Sequence, residues 1–150
     1  MSESFKGSGG RKVISRASAQ SLGAVSHLLV DTERRGIAGL IIGKGKKAQI
    51  IDWDQVSGFG PDAVMVSDEG ALRAPADDDE RRACDGALEL VGKRALSDTG
   101  NELGLLDDVT FDPATGRLEA LRIGEDEIPA GALLGSGSYA AVLSADKSEP

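Results

Sequence analysis

Two stretches of the sequence follow one plan and decide the fold: LGAVSHLLVDTERRGIAGLIIG at residues 22–43 and LGLLDDVTFDPATGRLEALRIG at residues 103–124. Equivalent residues stand at one fixed separation, 112 − 31 = 81. The clearest pairs are Leu22 with Leu103, Gly23 with Gly104, Asp31 with Asp112 and Gly43 with Gly124. A fixed separation of this kind indicates a tandem repeat of one structural unit.

Each copy predicts a β-hairpin. An apolar run leads to an Asp, then to a turn containing glycine, and then to a second apolar run that ends in glycine. In the second copy the Asp112 side chain can bond backbone two residues on, Pro113 fixes φ, and Gly116 tolerates the left-handed conformation. The turn from Asp31 to Gly36 is equivalent but has less favourable chemistry.

Alternation of side chains predicts which face of the first strand in each hairpin is buried. Asp107 and its counterpart Ser26 interrupt this alternation, which predicts a β-bulge or a strand start at that point. The expected inward rows are Leu105, Val109 and Phe111 in the second copy and Ala24, Leu28 and Val30 in the first, with Leu106, Asp108, Thr110 and Asp112 mostly on the polar side.

A second block of sequence repeats at a different separation, 133 − 56 = 77, because the first copy has four extra residues after its hairpin. Each block consists of a short strand, a glycine-rich turn and a closing strand of small apolar residues. The pairs are Val56 with Leu133, Gly58 with Gly135, Gly60 with Gly137 and Val66 with Leu143. Two independent blocks make a chance repeat improbable.

These repeats predict an all-β fold with two small β-barrels packed about a pseudo-twofold axis. We assign module 1 to residues 11–67, an acidic linker to residues 68–89 and module 2 to residues 90–145. Residues 1–10 are polar and glycine-rich, and we expect them to be disordered. In the linker, Asp77 to Glu80 followed by two arginines fits either the start of a short helix or a flexible segment. Barrels this small need a shared apolar interface.

Composition limits the function classes. The 150 residues are 40% hydrophobic and contain one cysteine, which excludes an intrachain disulfide. No run of roughly 18 apolar residues exists and the amino-terminal stretch has no apolar core of a signal peptide, so we expect a cytoplasmic protein. Residues 1–75 carry 10 basic and 8 acidic side chains, and residues 76–150 carry 7 and 17, for net charges of +2 and −10. The acidic half suits a basic partner or the opposite half of the same protein.

The sequence resembles the PRC-barrel family over residues 11–67 and 90–145. The resemblance lies in the order of strands, Leu-Gly motifs, Asp-to-Gly turns, the pattern "I-x-W-x-x-V" or "I-P-x-x-x-L", and Gly-x-Gly. That family has modules in the cytoplasmic part of the photosynthetic reaction-centre H subunit and at the carboxy-terminal end of a ribosome maturation factor. The resemblance implies half-open β-barrels that serve binding or assembly, without a shared catalytic residue. Neither specific role transfers, because we see no partner domain before the barrel and no membrane-spanning helix.

No catalytic, cofactor-binding or metal-binding residue is predicted, so we expect no enzyme. His27 is the single histidine and is expected on an outer, solvated strand face. Cys84 follows two arginines that would lower its pKa somewhat, but it has no evident base or resolving cysteine. The acidic runs at 77–80 and 124–127 lack the EF-hand spacing, and the glycine-rich turns lack the phosphate-loop pattern.

The residues predicted to bind a partner are Trp53, Arg34, Arg35, Lys44, Lys46 and Lys47. Trp53 corresponds to Ala130 in the second copy, so it either packs between the modules or docks a partner. The arginines and the lysines fall at opposite ends of one hairpin, and module 2 is acidic, which disfavours nucleic acid. We therefore expect a protein-binding or assembly adaptor, with a ribosome- or RNA-associated factor as the alternative. A homodimer, peripheral membrane association and binding of a small molecule or metal stay open.

Overall fold

Strands dominate the computed structural model, which describes residues 2–43, 45–86, 88–137 and 139–144. The first part of the chain contains β1 (Glu3–Ser4), α1 (Phe5–Ser8), β2 (Lys12–Ser15), β3 (Ser21–Asp31), β4 (Gly36–Ile42), β5 (Gln49–Asp52), β6 (Val56–Phe59), β7 (Val64–Val66) and β8 (Leu72–Arg73). The second part contains α2 (Asp78–Cys84), β9 (Arg94–Ser97), β10 (Glu102–Phe111), β11 (Leu118–Ile123), β12 (Asp126–Pro129), β13 (Leu133–Ser136) and β14 (Ala140–Leu143). Neither helix is long and apolar enough to cross a membrane, within the residues described.

The two sheets have the same strand order. It runs β6-β7-β2-β3-β4-β5 in module 1 and β13-β14-β9-β10-β11-β12 in module 2. In both sheets the closing strand pairs parallel with the first strand, β7 with β2 and β14 with β9, whereas the other neighbours are antiparallel. The predicted all-β class is therefore confirmed.

A reciprocal pair of hydrogen bonds joins the two hairpins. The amide of Ile37 donates to the carbonyl of Gly116 at 2.8 Å, and the amide of Leu118 donates to the carbonyl of Arg35 at 2.9 Å. The two bonds exchange under the repeat, because 118 − 37 = 81 and 116 − 35 = 81. They mark the pseudo-twofold relation, with the antiparallel bridge from Gly36 to Arg117 between them.

One apolar core extends through both modules. It contains fully buried side chains from each sheet, and an aromatic group lies where the sheets meet. The Phe111 ring stands edge-on to Phe59, with centroids 5.3 Å apart, and edge-on to Trp53 at 6.4 Å. Edge-to-face aromatic pairs add to the stability that burial alone supplies. The fully buried residues include Val13, Leu40, Ile51, Val64, Leu106, Leu121, Leu133 and Leu143.

The predicted bulge exists, but the inward face was assigned wrongly on its amino-terminal side. The pairing of β10 with β11 shifts register between Leu106 and Asp108, and β3 shifts at the equivalent place. A bulge reverses the facing of the residues before it. Leu106 is therefore fully buried and Leu105 is 56% exposed, the reverse of the expectation. Val109 and Phe111, beyond the bulge, are buried as predicted.

Each bulged residue is tied to the glycine that ends the hairpin. The Ser26 hydroxyl donates to the carbonyl of Gly43 at 2.7 Å, and Asp107 accepts from the amide of Gly124 at 2.6 Å. The two bonds use different atoms but join equivalent positions. The polar residue that breaks the apolar pattern thus closes the open end of each hairpin.

Residues 2–8 are ordered, contrary to the expectation of a disordered lead-in. β1 pairs antiparallel with the far end of β10, and the Phe5 ring packs edge-on against Phe111 at 5.8 Å. Ser4 caps α1 by accepting from the amide of Gly7. Strand pairing, the Phe5 ring and the ion pair of Arg11 with Glu3 together hold this segment, and composition alone does not reveal these contacts.

The linker contains both β8 and the short helix that was one of the two predicted alternatives. α2 covers the outer face of module 1, where Ala83 and Cys84 pack with Ile41 and Ile50. The equivalent positions in module 2 are Arg122 (41 + 81) and Glu127 (50 + 77), which are exposed. The helix lies over module 1 because only that outer face is apolar.

Candidate functional site

Trp53 lies at the junction of the two modules, in the short 3-10 helix Trp53–Gln55 that follows β5. Its indole packs on Gly116, in the turn of the other hairpin. A Cβ at Gly116 would lie 2.7 Å from two indole atoms, Cε2 and Nε1, and the residue has a φ of +78°. Both the positive φ and the close ring therefore require glycine there.

The equivalent contact on the other side of the pseudo-twofold axis has the opposite sizes. Ala130 stands where Trp53 stands (53 + 77 = 130), and Arg35 stands where Gly116 stands (35 + 81 = 116). The Arg35 Nε donates to the carbonyl of Leu133 at 3.0 Å. On one side of the axis a large residue, Trp53, packs on a small one, Gly116. On the other side the equivalent residues are a small one, Ala130, and a large one, Arg35.

Two shallow clefts adjoin Trp53, and side chains of both modules line each of them. The larger, of about 640 Å³, runs between the two hairpin turns, and the smaller, of about 440 Å³, lies beside the Pro113 turn. Trp53 is the residue that the two share, and it remains partly exposed. The larger cleft is lined by Asp31, Arg34, Gly36, Ile37, Ala38, Asp52, Trp53, Asp54, Thr115 and Arg117.

Charges of both signs surround the indole. Asp31 is occupied by its own turn, because it accepts from the amides of Glu33 and Arg34. Asp52 is held by Arg73 at 2.8 Å. The Arg34 side chain is 89% exposed at the rim, with its Nε 3.8 Å from Asp31. An aromatic centre with a mixed, charged rim has the composition of a protein-binding patch.

The five predicted partner-binding residues that the structure describes do not come together. Trp53 and Arg34 line the larger cleft, whereas Arg35 is engaged with Leu133. Lys46 and Lys47 belong to the 3-10 helix Gly45–Lys47 beyond the far end of β4. Seven residues of strand span about 23 Å, so the lysines and arginines form no common patch. Lys44 lies outside the described residues.

His27 lies beside Glu89, in a cavity of about 290 Å³ next to α2. Nδ1 lies 3.1 Å from a carboxylate oxygen of Glu89, and the imidazole is 24% exposed. The expectation of a fully solvated position was wrong, because α2 and the residues after it cover this part of β3. Neither a serine hydroxyl nor a thiol forms a hydrogen bond with the imidazole among the described residues.

Cys84 is buried under α2, and the expectation of a lowered pKa was wrong. Burial raises the pKa of the thiol, and the carboxylates of Asp85 and Glu80 raise it further. The two preceding arginines turn away to form ion pairs with Asp78 and Asp79. Cys84 is thus a packing residue. Over the described parts of the chain, no three side chains of His, Cys, Asp or Glu are grouped to hold a metal ion.

Residues 86–135, from the end of the linker to β13, match the family model of the PRC-barrel domain. Residues 86–135 belong to the PRC-barrel family. The family predicted from the sequence is therefore confirmed for this part of the chain, and the PRC-barrel match contains the hairpin that supplies Gly116. No curated protein matches the chain.

Three exposed apolar side chains in the second half of the chain were not predicted as surface residues. Leu105, Leu134 and Tyr139 are 56%, 48% and 72% exposed. Tyr139 accepts a hydrogen bond from Arg94, whose guanidinium also lies over the ring. Their counterparts in module 1 are Ala24, Ser57 and Asp62, at separations of 81, 77 and 77. Comparison of the two copies position by position was the signal that could have found them.

Proposed function

We propose that the chain is a non-enzymatic adaptor that binds another protein at the Trp53 cleft. The observation that carries this proposal is a partly exposed tryptophan between two clefts that both modules build. Tryptophan dominates the energetics of protein interfaces when it stands at their centre. The PRC-barrel domain supports a binding role of a general kind, and the cleft supplies the specific surface.

The chemistry of the described residues favours binding over catalysis. His27 has a carboxylate beside it, and the Ser136 hydroxyl, which lines the same cavity, is not hydrogen-bonded to the imidazole. Cys84 is buried and its pKa is raised, which disfavours the thiolate. The clefts beside Trp53 contain no histidine or cysteine. A nucleophile, a base and an oxyanion site are therefore not assembled in one place.

The ribosome- or RNA-associated alternative has less support. Phosphate binding requires several cations along one surface, and here Arg34 is separated from Lys46 and Lys47 by the length of β4. Arg35 and Arg73 are engaged within the protein. This alternative is retained as an outcome of the same experiment.

Affinity capture from the native cell extract, with and without RNase, tests the proposal. The variants are Trp53→Phe, which keeps an aromatic ring, and Arg34→Glu, which reverses a charge at the rim. Arg16→Glu makes the same charge change at an exposed position outside the cleft. We expect one protein partner to survive RNase, to be weakened by Trp53→Phe and Arg34→Glu, and to be unaffected by Arg16→Glu.

Two results would contradict the adaptor proposal. Loss of all captured material on RNase treatment would favour the RNA-associated alternative. Equal weakening by Arg34→Glu and Arg16→Glu would show that net charge, and not the cleft, governs association. The single tryptophan also gives a direct readout, because its fluorescence must change when purified partner fills the cleft.

A further inference from the structure

Equivalent edge strands of the two sheets differ in whether a further strand covers them. In module 1 the outer edge of β5 pairs with β8, Ile50 opposite Arg73 and Ile51 opposite Leu72. In module 2 the equivalent strand, β12, ends the sheet, and no strand in the described residues pairs with its outer edge. We propose that β12 accepts an extended basic segment of a partner protein as an added antiparallel strand.

β8 shows what such a segment must contain. Leu72 stands opposite the buried Ile51 and packs against the main core. Arg73 stands opposite Ile50 on the outer face and binds Asp52 and Glu80 there. Strand addition gives affinity through the backbone and specificity through alternate side chains. The added strand therefore needs an apolar residue facing inward and a different residue facing outward.

The corresponding positions on β12 determine which inward and outward side chains the added strand must carry. Ile128 (51 + 77) is buried and requires an apolar residue opposite it. It keeps 7% exposure, whereas Ile51 under β8 keeps none. Glu127 (50 + 77) is exposed on the outer face and favours lysine or arginine opposite it, since unlike charges stabilise a cross-strand pair. An alternating basic and apolar sequence satisfies both positions.

The surroundings of β12 strengthen the preference for a basic segment. Glu125, Asp126 and Glu127 are consecutive and exposed. A cleft of about 300 Å³ beside them is lined by Asp108, Glu125 and Glu127, with Arg122 as its single cation. Arg122 is directed toward the carbonyl of Gly124. The amino-terminal half of the edge, Asp126 and Glu127, is therefore acidic.

The same charges disfavour a second copy of this chain as the occupant. Antiparallel pairing of β12 with β12 in the register that sets Glu127 opposite Glu127 of the neighbour would place like charges in facing positions, and such pairs destabilise a sheet. Pro129, which lacks an amide hydrogen, is compatible with an edge strand. It corresponds to Asp52, outside the two residues that pair with β8 in module 1.

The experiment uses the full chain, labelled with ¹⁵N, and three synthetic hexapeptides with blocked ends. The first alternates leucine and arginine, the second alternates leucine and glutamate, and the third is the first with N-methylated backbone amides. Two charge reversals are compared: Glu127→Lys on β12 and Glu33→Lys, an exposed residue in the hairpin turn of module 1. Binding is measured by NMR titration and unfolding by denaturant.

We expect the leucine–arginine peptide alone to bind, with the largest amide shift changes at residues 126–128. Glu127→Lys should weaken it by about fivefold to tenfold, since an attractive cross-strand pair becomes repulsive. Glu33→Lys should leave it unchanged. The proposal is independent of the Trp53 cleft, so Trp53→Phe should also leave it unchanged.

Three results would overturn the proposal. Equal binding of the N-methylated peptide would show charge attraction without strand pairing. No binding of any peptide would mean that the acidic edge only prevents aggregation. Amide shifts at residues 126–128 that depend on protein concentration in the absence of peptide would show that a second copy occupies the edge.

Discussion

Arg73 on β8 and Glu80 on α2 are joined by two parallel hydrogen bonds, each of 2.8 Å. The same guanidinium binds Asp52 on β5. One side chain thus ties the edge strand, the added strand and the covering helix of module 1 together. Bidentate pairs of this kind are stronger and more specific than single contacts.

This contact makes the stability of module 1 sensitive to acid. Arg73 lowers the pKa of Glu80 from 4.5 to about 2. A lowered folded-state pKa contributes stability that is fully present above pH 4.5 and is lost as the pH falls through about 2. Glu80→Gln should cost about 1–3 kcal/mol at pH 6, because it breaks a charged hydrogen-bonded pair, and this deficit should shrink between pH 4.5 and 2. Urea unfolding at several pH values measures it.

The matched control is Asp54→Asn, a nearby exposed carboxylate for which no ion pair is seen. It should change the free energy of unfolding little at any of these pH values. A deficit of Glu80→Gln that stays constant from pH 6 to pH 2 would contradict the assignment.

Trp53 should contribute to stability as well as to binding. Trp53→Ala removes an indole that contacts Phe59, Phe111 and Gly116. We expect a loss of about 2–3 kcal/mol, less than for a fully buried tryptophan because the ring is partly exposed. Tyr139→Ala removes an exposed aromatic side chain and should cost under about 0.5 kcal/mol. A loss equal to that of Tyr139→Ala would show that Trp53 does not join the modules.

Gly104 should be irreplaceable for two separate reasons. Its φ is +124°, and a Cβ there would lie 2.9 Å from Cγ2 of Ile123. Gly92 also has a positive φ, +86°, but a Cβ would meet nothing within 4 Å. Gly92→Ala should therefore cost about 1–2 kcal/mol from backbone conformation alone, and Gly104→Ala should cost about 1–3 kcal/mol more. Thermal and urea unfolding of both variants measure these two costs in stability. Equal costs for Gly92→Ala and Gly104→Ala would contradict this account.

Cys84 should report on the attachment of α2. The thiol is buried and its pKa is raised, so alkylation at pH 8 should be slow in the native protein and fast in urea. Arg73→Ala releases α2 from β8 and should accelerate alkylation by about tenfold or more, through local opening. Arg16→Glu, far from the helix in sequence and exposed, serves as the control. Equal rates in both variants would show that Arg73 does not hold the helix.

The sequence predicts those parts of the fold that follow from periodicity. The repeats at separations of 81 and 77 residues predict the all-β class and the positions of the strands. Asp107 and Ser26 indicate the bulge. The sequence does not predict which side of the sheet Leu105 lies on. A bulge reverses the alternation of buried and exposed side chains, and the exact position of the bulge depends on strand pairing. The amino-terminal segment illustrates a second limit, since the long-range contacts of β1 and Phe5 with β10 hold a segment whose composition favours disorder.

The candidate site was predictable only in part. Trp53 was identified because its counterpart is Ala130, and this comparison of copies is informative about surfaces. The same comparison failed for the cations, since the partner of the Arg35 side chain, the carbonyl of Leu133, is a backbone atom of the other module. Cys84 was misjudged because neighbouring charges in the sequence are not neighbours in space.

The exchange of sizes across the pseudo-twofold axis determines which halves can associate. Two copies of module 1 facing each other would set Trp53 against Arg35, which leaves no room for the indole. Two copies of module 2 would set Ala130 against Gly116, which leaves a void. Only unlike halves fill the space, so module 1 is directed to pack against module 2 rather than against a second module 1.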